Sequence, residues 1–322
     1  MHAIRVHQHG GPQELSWEEI PTPEPGRGQV LVKLEAVGVN YVDIYQRSGL
    51  YKLDLPFTPG SEGAGMVSAV GPGVTEFKVG DRVGYAAVPG AYAEYAMVPA
   101  ARLIALPAGV SAAQGAAVLL QGMTAHFLTH TTYPLRSGDT CLVHAGAGGV
   151  GLLLCQIARL RGARVLATVS NEQKAKLARE AGAEEAILYT KHDFQEEVRQ
   201  LTGGRGVQVV YDSVGRATFE RSLNSLAPRG LLVLFGQSSG PVPPFDAQIL
   251  AQKGSLFLTR PVLQHYITSR EDLLARAGDL FRWIGDGSLK VRIDSELPLQ
   301  EAGEAHRRLA GRETTGKVLL VP

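Results

Sequence analysis

The hexapeptide Gly146-Ala147-Gly148-Gly149-Val150-Gly151 constrains this chain more than any other feature. It follows a compact apolar run, Thr140–Ala145, that reads as a strand, and it opens Gly149–Arg161, which has helical character. In a strand–loop–helix unit each glycine has a task. Gly146 permits the tight turn, Gly148 lets a pyrophosphate approach the backbone, and Gly151 lets the helix lie close on the sheet. The helix that begins at Gly149 and Val150 points its free N–H groups at the anion. A lone Gly-x-Gly-x-x-Gly is weak, and a glycine-rich packing turn is the alternative. A second βαβ pattern after it supplies the context that favours dinucleotide binding.

Arg164–Val169, Glu185–Tyr189, Val207–Tyr211, Leu231–Phe235 and Ser255–Thr259 read as further strands. Helices over Glu172–Ala181, Phe194–Leu201 and Ala217–Leu226 separate them, the first stopped by Gly182 and the second capped by Asp193. This alternation predicts an α/β fold with a doubly wound parallel sheet covered on both faces. Residues 1–110 have another texture. Short strands (Gln29–Val37, Gly65–Val70, Asp81–Ala86, Tyr92–Val98) are punctuated by Gly71-Pro72-Gly73, Pro89-Gly90 and Pro107. That pattern predicts a small β-barrel-like domain. Ser111 is a candidate N-cap for a helix through Ala112–Leu128. After Pro261, helices over Glu271–Ile284 and Leu299–Leu309 precede a last strand, Lys317–Val321. This tail is too small to stand alone and is expected to fold back onto the N-terminal domain.

At about 150 residues per domain, 322 residues suggest two domains. Hydrophobic residues at 44% and charged residues at 20% exclude a disordered or fibrous chain. Lys+Arg of 32 against Asp+Glu of 31 leaves a net charge of +1, so no global field marks a nucleic-acid or membrane-surface binder. Cys141 and Cys155 make neither a disulfide framework nor a four-thiolate zinc lobe. Met1–Gly11 is polar, and the longest apolar run, near 145–158, is short of the ~20 residues a bilayer span needs. A soluble cytoplasmic protein is expected.

Which dinucleotide depends on the tip of the second strand of the parallel sheet. NAD sites usually place Asp or Glu there for the ribose 2′-hydroxyl. Here the strand ends Val169-Ser170-Asn171, with Glu172 already entering the helix and Lys174 in its first turn. Ser170 and Lys174 would hold a 2′-phosphate that a carboxylate would repel, so the pattern favours NADPH.

The chain resembles the medium-chain dehydrogenase/reductases, specifically their zinc-free quinone oxidoreductase branch, which includes zeta-crystallin. The matching stretches are Val37-Gly38-Val39-Asn40-Tyr41-Val42-Asp43-Ile44-Tyr45, Pro59-Gly60-Ser61-Glu62-Gly63-Ala64-Gly65 and His144–Gly151. Tyr211-Asp212-Ser213-Val214-Gly215, Phe235-Gly236-Gln237-Ser238-Ser239-Gly240 and Thr259-Arg260-Pro261 match as well. The resemblance implies a GroES-like catalytic domain over 1–122 and 262–322, with a Rossmann domain over 123–261 inserted in it and an active cleft between the two. It also implies a homodimer paired through the edge strand near Ser255–Thr259.

Zinc enzymes of this superfamily hold the metal with Cys and His. Here the corresponding positions look to be Asn40 and Ser61, poor substitutes for thiolate and imidazole. His126 and His130 have helical i,i+4 spacing but nothing nearby completes a ligand set, and His7 and His9 read as an exposed strand. No metal is expected. Without a Lewis acid, the acceptor must already be electrophilic, as quinones and activated alkenes are.

Similarity to the family carries Asn40, Asp43 and Tyr45 to the cleft as candidate catalytic side chains, with Tyr41 beside Asn40 on the cofactor side. Tyr45 either donates a hydrogen bond to a developing oxyanion or is an amphipathic core tyrosine. Asp43 is read as orienting a neighbour, Glu62 as structural, and Tyr51 as part of a substrate pocket. Thr124 resembles a contact on the nicotinamide side, and Tyr189 one around the 2′-phosphate. Ser213, Phe235, Gly236, Gln237 and Ser238 end the fourth and fifth strands of the parallel sheet where the nicotinamide would lie. Arg260 and Arg312 are candidate contacts at the cleft rim. Three functions compete: an NADPH:quinone reductase, by hydride or single-electron transfer; an alkenal, enone or enoyl-thioester C=C reductase; and an NADPH-bound RNA-binding or crystallin-type structural protein.

Overall fold

The computed structural model describes residues 1–322. The chain forms two compact units, Met1–Met123 with Ile267–Pro322, and Thr124–Tyr266. The second chain crossing falls after Tyr266 rather than at Pro261 because Tyr266 is held by its own unit. Its ring stacks on Phe127 with centroids 4.1 Å apart, and its hydroxyl accepts a hydrogen bond from Thr132 Oγ1 at 3.0 Å.

The first unit begins with β1 (His2–Arg5), β2 (Ser16–Glu19), β3 (Gln29–Gly38), α1 (Tyr41–Arg47), β4 (Glu62–Val70), β5 (Arg82–Ala86), β6 (Tyr95–Pro99), β7 (Ile104–Ala105) and α2 (Ala112–Phe127). In β3 only Lys33 and Glu35 are exposed, since this strand has partners on both sides. Ser111 caps α2 reciprocally: its Oγ accepts the Gln114 N–H at 3.1 Å, and Gln114 Oε1 accepts the Ser111 N–H at 3.0 Å. Three features differ from the sequence reading. Tyr92 is not in β6 but lies fully buried before it. His7 lies outside β1, paired with Glu18 at 2.7 Å, and His9 packs near Phe57 with a buried Nδ1, so this is no exposed strand. The helix α1 opens on Tyr41-Val42-Asp43-Ile44-Tyr45, weak helix formers that do not announce it.

The second unit contains β8 (Thr140–Val143), α3 (Gly149–Leu160), β9 (Arg164–Val169), α4 (Glu172–Glu180), β10 (Glu185–Leu188), α5 (Phe194–Leu201), β11 (Val207–Asp212), α6 (Phe219–Asn224), β12 (Leu226–Leu234), α7 (Gln248–Gln252) and β13 (Phe257–Thr259). All six strands are parallel, in the order β10-β9-β8-β11-β12-β13. This is the dinucleotide-binding order, which reverses direction beside the first strand. The apolar side of α3, Leu152 to Leu154 with Cys155, Ile157 and Ala158, is buried. β13 starts two residues later than its sequence suggests because Ser255 adopts φ +56, outside the strand region.

The chain then returns to the first unit as α8 (Arg270–Gly285), β14 (Ile293–Pro298), α9 (Ala302–Ala310) and β15 (Lys317–Val321). β15 lies between β14 and β3, completing a seven-stranded sheet. Its core joins Val30, Val32, Leu34 and Val37 to Val318 and Leu320. The tail thus supplies a central strand. No helix is long and apolar enough to cross a membrane.

Candidate functional site

In the second unit the glycine loop divides its labour differently from the sequence expectation. The tight turn is made by Ala145, at φ +53, not by Gly146. Glycine is needed at 146 because a Cβ there would lie 2.7 Å from the Ala167 Cβ on β9. A Cβ on Gly151 would overlap the Ala145 carbonyl oxygen, so α3 rests directly on its own loop. Gly148 is the N-cap of α3, and no side chain bonds that end. By contrast Asn171, Asp193 and Ser269 cap α4, α5 and α8 with side-chain oxygens. At Gly148 a Cβ would meet only the Ala145 carbonyl, at 3.2 Å. A glycine cradle around a helix N-terminus without a side-chain cap fits a pyrophosphate.

At the adjoining edge, Thr190 Oγ1 donates to the Ser170 carbonyl at 3.0 Å, and the Tyr189 N–H donates to the Val169 carbonyl at 3.2 Å. Asn171 Oδ1 accepts the Lys174 N–H at 2.9 Å. Ser170, Lys174 and an exposed Tyr189 therefore share one edge. Lys191, which the sequence reading missed, also reaches it, with Nζ 3.1 Å from Glu172 Oε1.

At the ends of β11 and β12 a buried carboxylate organises the loops. Asp212 Oδ1 accepts the Val214 and Gly215 N–H groups at 2.7 and 3.0 Å, and Oδ2 accepts the Thr218 and Ser222 hydroxyls at 2.7 and 2.9 Å. Because Ser222 spends its proton on Asp212, it accepts from His144 Nε2 at 3.0 Å, and His144 Nδ1 accepts from Thr168 Oγ1 at 2.9 Å. Burial holds His144 below its ordinary value, against the pull of Asp212. Ser213 and Gly236 touch: a Cβ on Gly236 would lie 2.6 Å from the Ser213 carbonyl oxygen, which accepts the Ser238 N–H at 3.1 Å. Phe235 donates its N–H to the Asp212 carbonyl at 2.9 Å, and Gln237 is half-buried beside it. Arg260 is tethered to the same edge through the Leu234 carbonyl at 3.0 Å. Thr124 lies in the last turn of α2. Asp212 was legible in principle, since an Asp two residues before a backbone N–H it can accept signals an Asx turn.

In the first unit, Asn40 and Glu62 meet a lysine that the sequence reading did not single out. Lys317 Nζ lies 2.5 Å from Glu62 Oε2 and 2.8 Å from Asn40 Oδ1, with the lysine 1% and the glutamate 0% exposed. Asn40 Nδ2 donates to Gly38 O and to Glu62 Oε2, both at 3.0 Å, while Oδ1 also accepts from Gln121 Nε2 at 3.3 Å. Both protons and both lone pairs of this amide are therefore committed inside the protein. Glu62 Oε1 accepts the Leu120 N–H of α2 at 2.5 Å.

Asp43 belongs to a second buried network. It accepts the Asn40 backbone N–H at 2.8 Å, the Tyr92 hydroxyl at 3.1 Å and the Ser61 hydroxyl at 3.3 Å. Burial pushes its carboxyl up to about 7, opposed by the Asn40 and Tyr92 donors and by Lys317. His306 Nε2 lies 2.9 Å from the Tyr92 hydroxyl, and Arg47 lies 3.1 Å from His306 Nδ1. A guanidinium only donates, so Nδ1 accepts and Nε2 carries the proton. Burial, with Arg47 adding to it, takes His306 down to about 3. Asp43 thus positions the start of α1 rather than facing outward.

Tyr41 and Tyr45 sit one turn apart on α1 with ring centroids 5.3 Å apart, and the Tyr51 ring lies 5.1 Å from that of Tyr45. Gly49 at φ +79 turns the chain so that the Tyr51 N–H reaches the Tyr45 carbonyl at 3.0 Å. Burial raises Tyr41, and the nearby Arg312 guanidinium opposes it. His126 and His130 stack with centroids 4.2 Å apart. No three His, Cys, Asp or Glu side chains converge as a metal-binding group. The Asn40 amide and the Ser61 hydroxyl are already bonded to Glu62, Lys317 and Asp43, and the ammonium of Lys317 disfavours a second cation beside Asn40.

Profiles described as alcohol dehydrogenase GroES-like domain and zinc-binding dehydrogenase match residues 26–108 and 149–275. A quinone oxidoreductase of Pseudomonas aeruginosa is 48% identical, over 99% of this chain and 99% of that protein. A 2-haloacrylate reductase of a Burkholderia species is 42% identical over 99% and 98%. The structure of Escherichia coli quinone oxidoreductase complexed with NADPH is 45% identical and superposes with a TM-score of 0.98 over 100% of both chains. The chain belongs to the zinc-free quinone oxidoreductase branch of the medium-chain dehydrogenase/reductase family.

Proposed function

We propose that this protein is an NADPH-dependent quinone oxidoreductase acting on small-molecule quinones. The observation that carries this reading is the glycine cradle at the side-chain-free N-terminus of α3, in a chain 48% identical over 99% of its length to a quinone oxidoreductase. Gly146 to Gly151 hold the pyrophosphate, and Ser170, Lys174 and Tyr189 hold the 2′-phosphate. Thr124, Ser213, Phe235, Gly236, Gln237, Ser238 and Arg260 serve the nicotinamide end.

Bound NADPH supplies the reducing equivalents. The residues of the first unit supply orientation and a proton. Tyr45, packed between Tyr41 and Tyr51, offers a phenol to the reduced acceptor, and Arg312 contributes positive charge near Tyr41. Asn40 and Asp43, engaged internally, act as positioning residues for α1. Lacking a thiolate–imidazole ligand set, the chain suits acceptors that need no Lewis acid. The 2-haloacrylate reductase relative favours a second reading, reduction of an activated C=C bond. The protein is further proposed to act in the cytoplasm as a homodimer joined at the β13 edge, where Phe257 is 59% exposed.

The test is NADPH oxidation with 1,4-benzoquinone, 9,10-phenanthrenequinone, a 2-alkenal and an enoyl-CoA. Turnover of the quinones is expected. Activity confined to the last two would replace the quinone assignment by the alkene one.

A further inference from the structure

The edge formed by β9 and β10 carries a carboxylate where an arriving phosphate would be repelled. Glu172 opens α4, two residues after Ser170. Glu172 stands past the strand tip, in the first turn of α4, so it is not the acid that holds an unphosphorylated ribose, but its charge still bears on this edge. The structure shows what is done with it. The turn after β10 is anchored in place by three backbone hydrogen bonds: Tyr189 N–H to Val169, and Lys191 and His192 N–H to Leu188, at 3.2, 2.9 and 3.0 Å. Thr190 adds a fourth through its hydroxyl, to the Ser170 carbonyl at 3.0 Å. So held, Lys191 extends across to Glu172, 3.1 Å away, and uses one of its ammonium protons on the carboxylate.

We propose that Lys191 is a cofactor-selecting residue, which clamps and neutralises Glu172 so that this edge accepts a 2′-phosphorylated adenine nucleotide. The inference rests on the NADPH reading above and deepens it. With Glu172 neutralised, the edge that holds Ser170, Lys174 and Tyr189 no longer presents an opposing carboxylate to a phosphate. Without Lys191 the Glu172 carboxylate would face an arriving phosphate unneutralised and weaken its binding. The pair is exposed, 60% for the lysine and 69% for the glutamate, so its effect is modest and sensitive to salt.

The test measures binding of 2′,5′-ADP and of 5′-ADP by calorimetry at low and high salt, with NADPH and NADH kcat/KM alongside. In the wild type, tighter binding of 2′,5′-ADP is expected; equal binding of the two would overturn the NADPH reading itself, and this inference with it. Given that preference, Lys191→Ala should weaken 2′,5′-ADP about two- to fivefold while leaving 5′-ADP unchanged, and Lys191→Glu should weaken it further. Adding Glu172→Gln to Lys191→Ala should restore most of the loss, because only the neutralising role disappears with its target. Lys176→Ala, on the same helix and paired with Glu180, is the control and should change nothing. An unaltered preference in Lys191→Ala, or no recovery in the double variant, would overturn the clamp while leaving the NADPH assignment standing.

Discussion

Lys317 is the residue on which the first unit turns. Its ammonium is fully buried against Glu62 and Asn40, and removing it strands a carboxylate that also holds the Leu120 N–H. Lys317→Met should therefore destabilise the protein by about 3–5 kcal/mol, and Lys317→Met with Glu62→Gln should recover much of it; urea unfolding measures both. A pH effect sits one network away. Asp43, raised to about 7, opposes folding increasingly as pH climbs from about 4 to 7, since the unfolded carboxyl has already lost its proton. His306, lowered to about 3, contributes stability above its ordinary value and loses it as pH falls. Between about 4 and 6.5 the trends of Asp43 and His306 oppose each other, and His144, also lowered by burial, adds to that of His306, so stability should fall as the wild type is taken from 6.5 toward 4. His306→Gln leaves Asp43 opposed by His144 alone, so that fall should lessen; a slope unchanged from the wild type would remove His306 as a titrating group. Neither network was readable beforehand. A lysine opening a strand reads as an exposed end, and its two partners lie 255 and 277 positions away.

Among elements, the local signals were strong wherever one segment decided its own fate. The β8–loop–α3 unit was legible because glycine spacing, strand and helix patterns agree over one short stretch. The helix α1 was hidden because Tyr-Val-Asp-Ile-Tyr carries β-branched and aromatic residues, and what fixes it is Asp43 accepting the Asn40 N–H at 2.8 Å. Glycines separate by environment in the same way. Gly278 lies inside α8 with nothing within 4 Å of an added Cβ, so Gly278→Ala should stabilise by about 0.5–1 kcal/mol in thermal unfolding. Gly151→Ala drives a methyl into the Ala145 carbonyl and should lower both NADPH affinity, read by cofactor fluorescence, and stability, by about 1–3 kcal/mol.

On the scale of the whole molecule, one unit is continuous and the other is closed by the chain's last strand, β15, lying between β14 and β3. That division could be anticipated in outline from the change in texture near residue 140. The second crossing could not be fixed to the residue, because the stacking of Tyr266 on Phe127 is tertiary. The continuous unit ends in an edge strand with Phe257 facing solvent. On the proposed homodimer, Phe257→Lys should shift sedimentation from dimer toward monomer while leaving the far-ultraviolet spectrum intact; an unchanged sedimentation coefficient would remove the β13 edge as the subunit contact.

The lysine inside the first unit has a bearing on how the protein becomes competent in a cell. Its positive centre is covalently part of the polypeptide, so nothing has to be delivered to it after synthesis. A chain built this way should reach the same folded stability with a chelator present as without one.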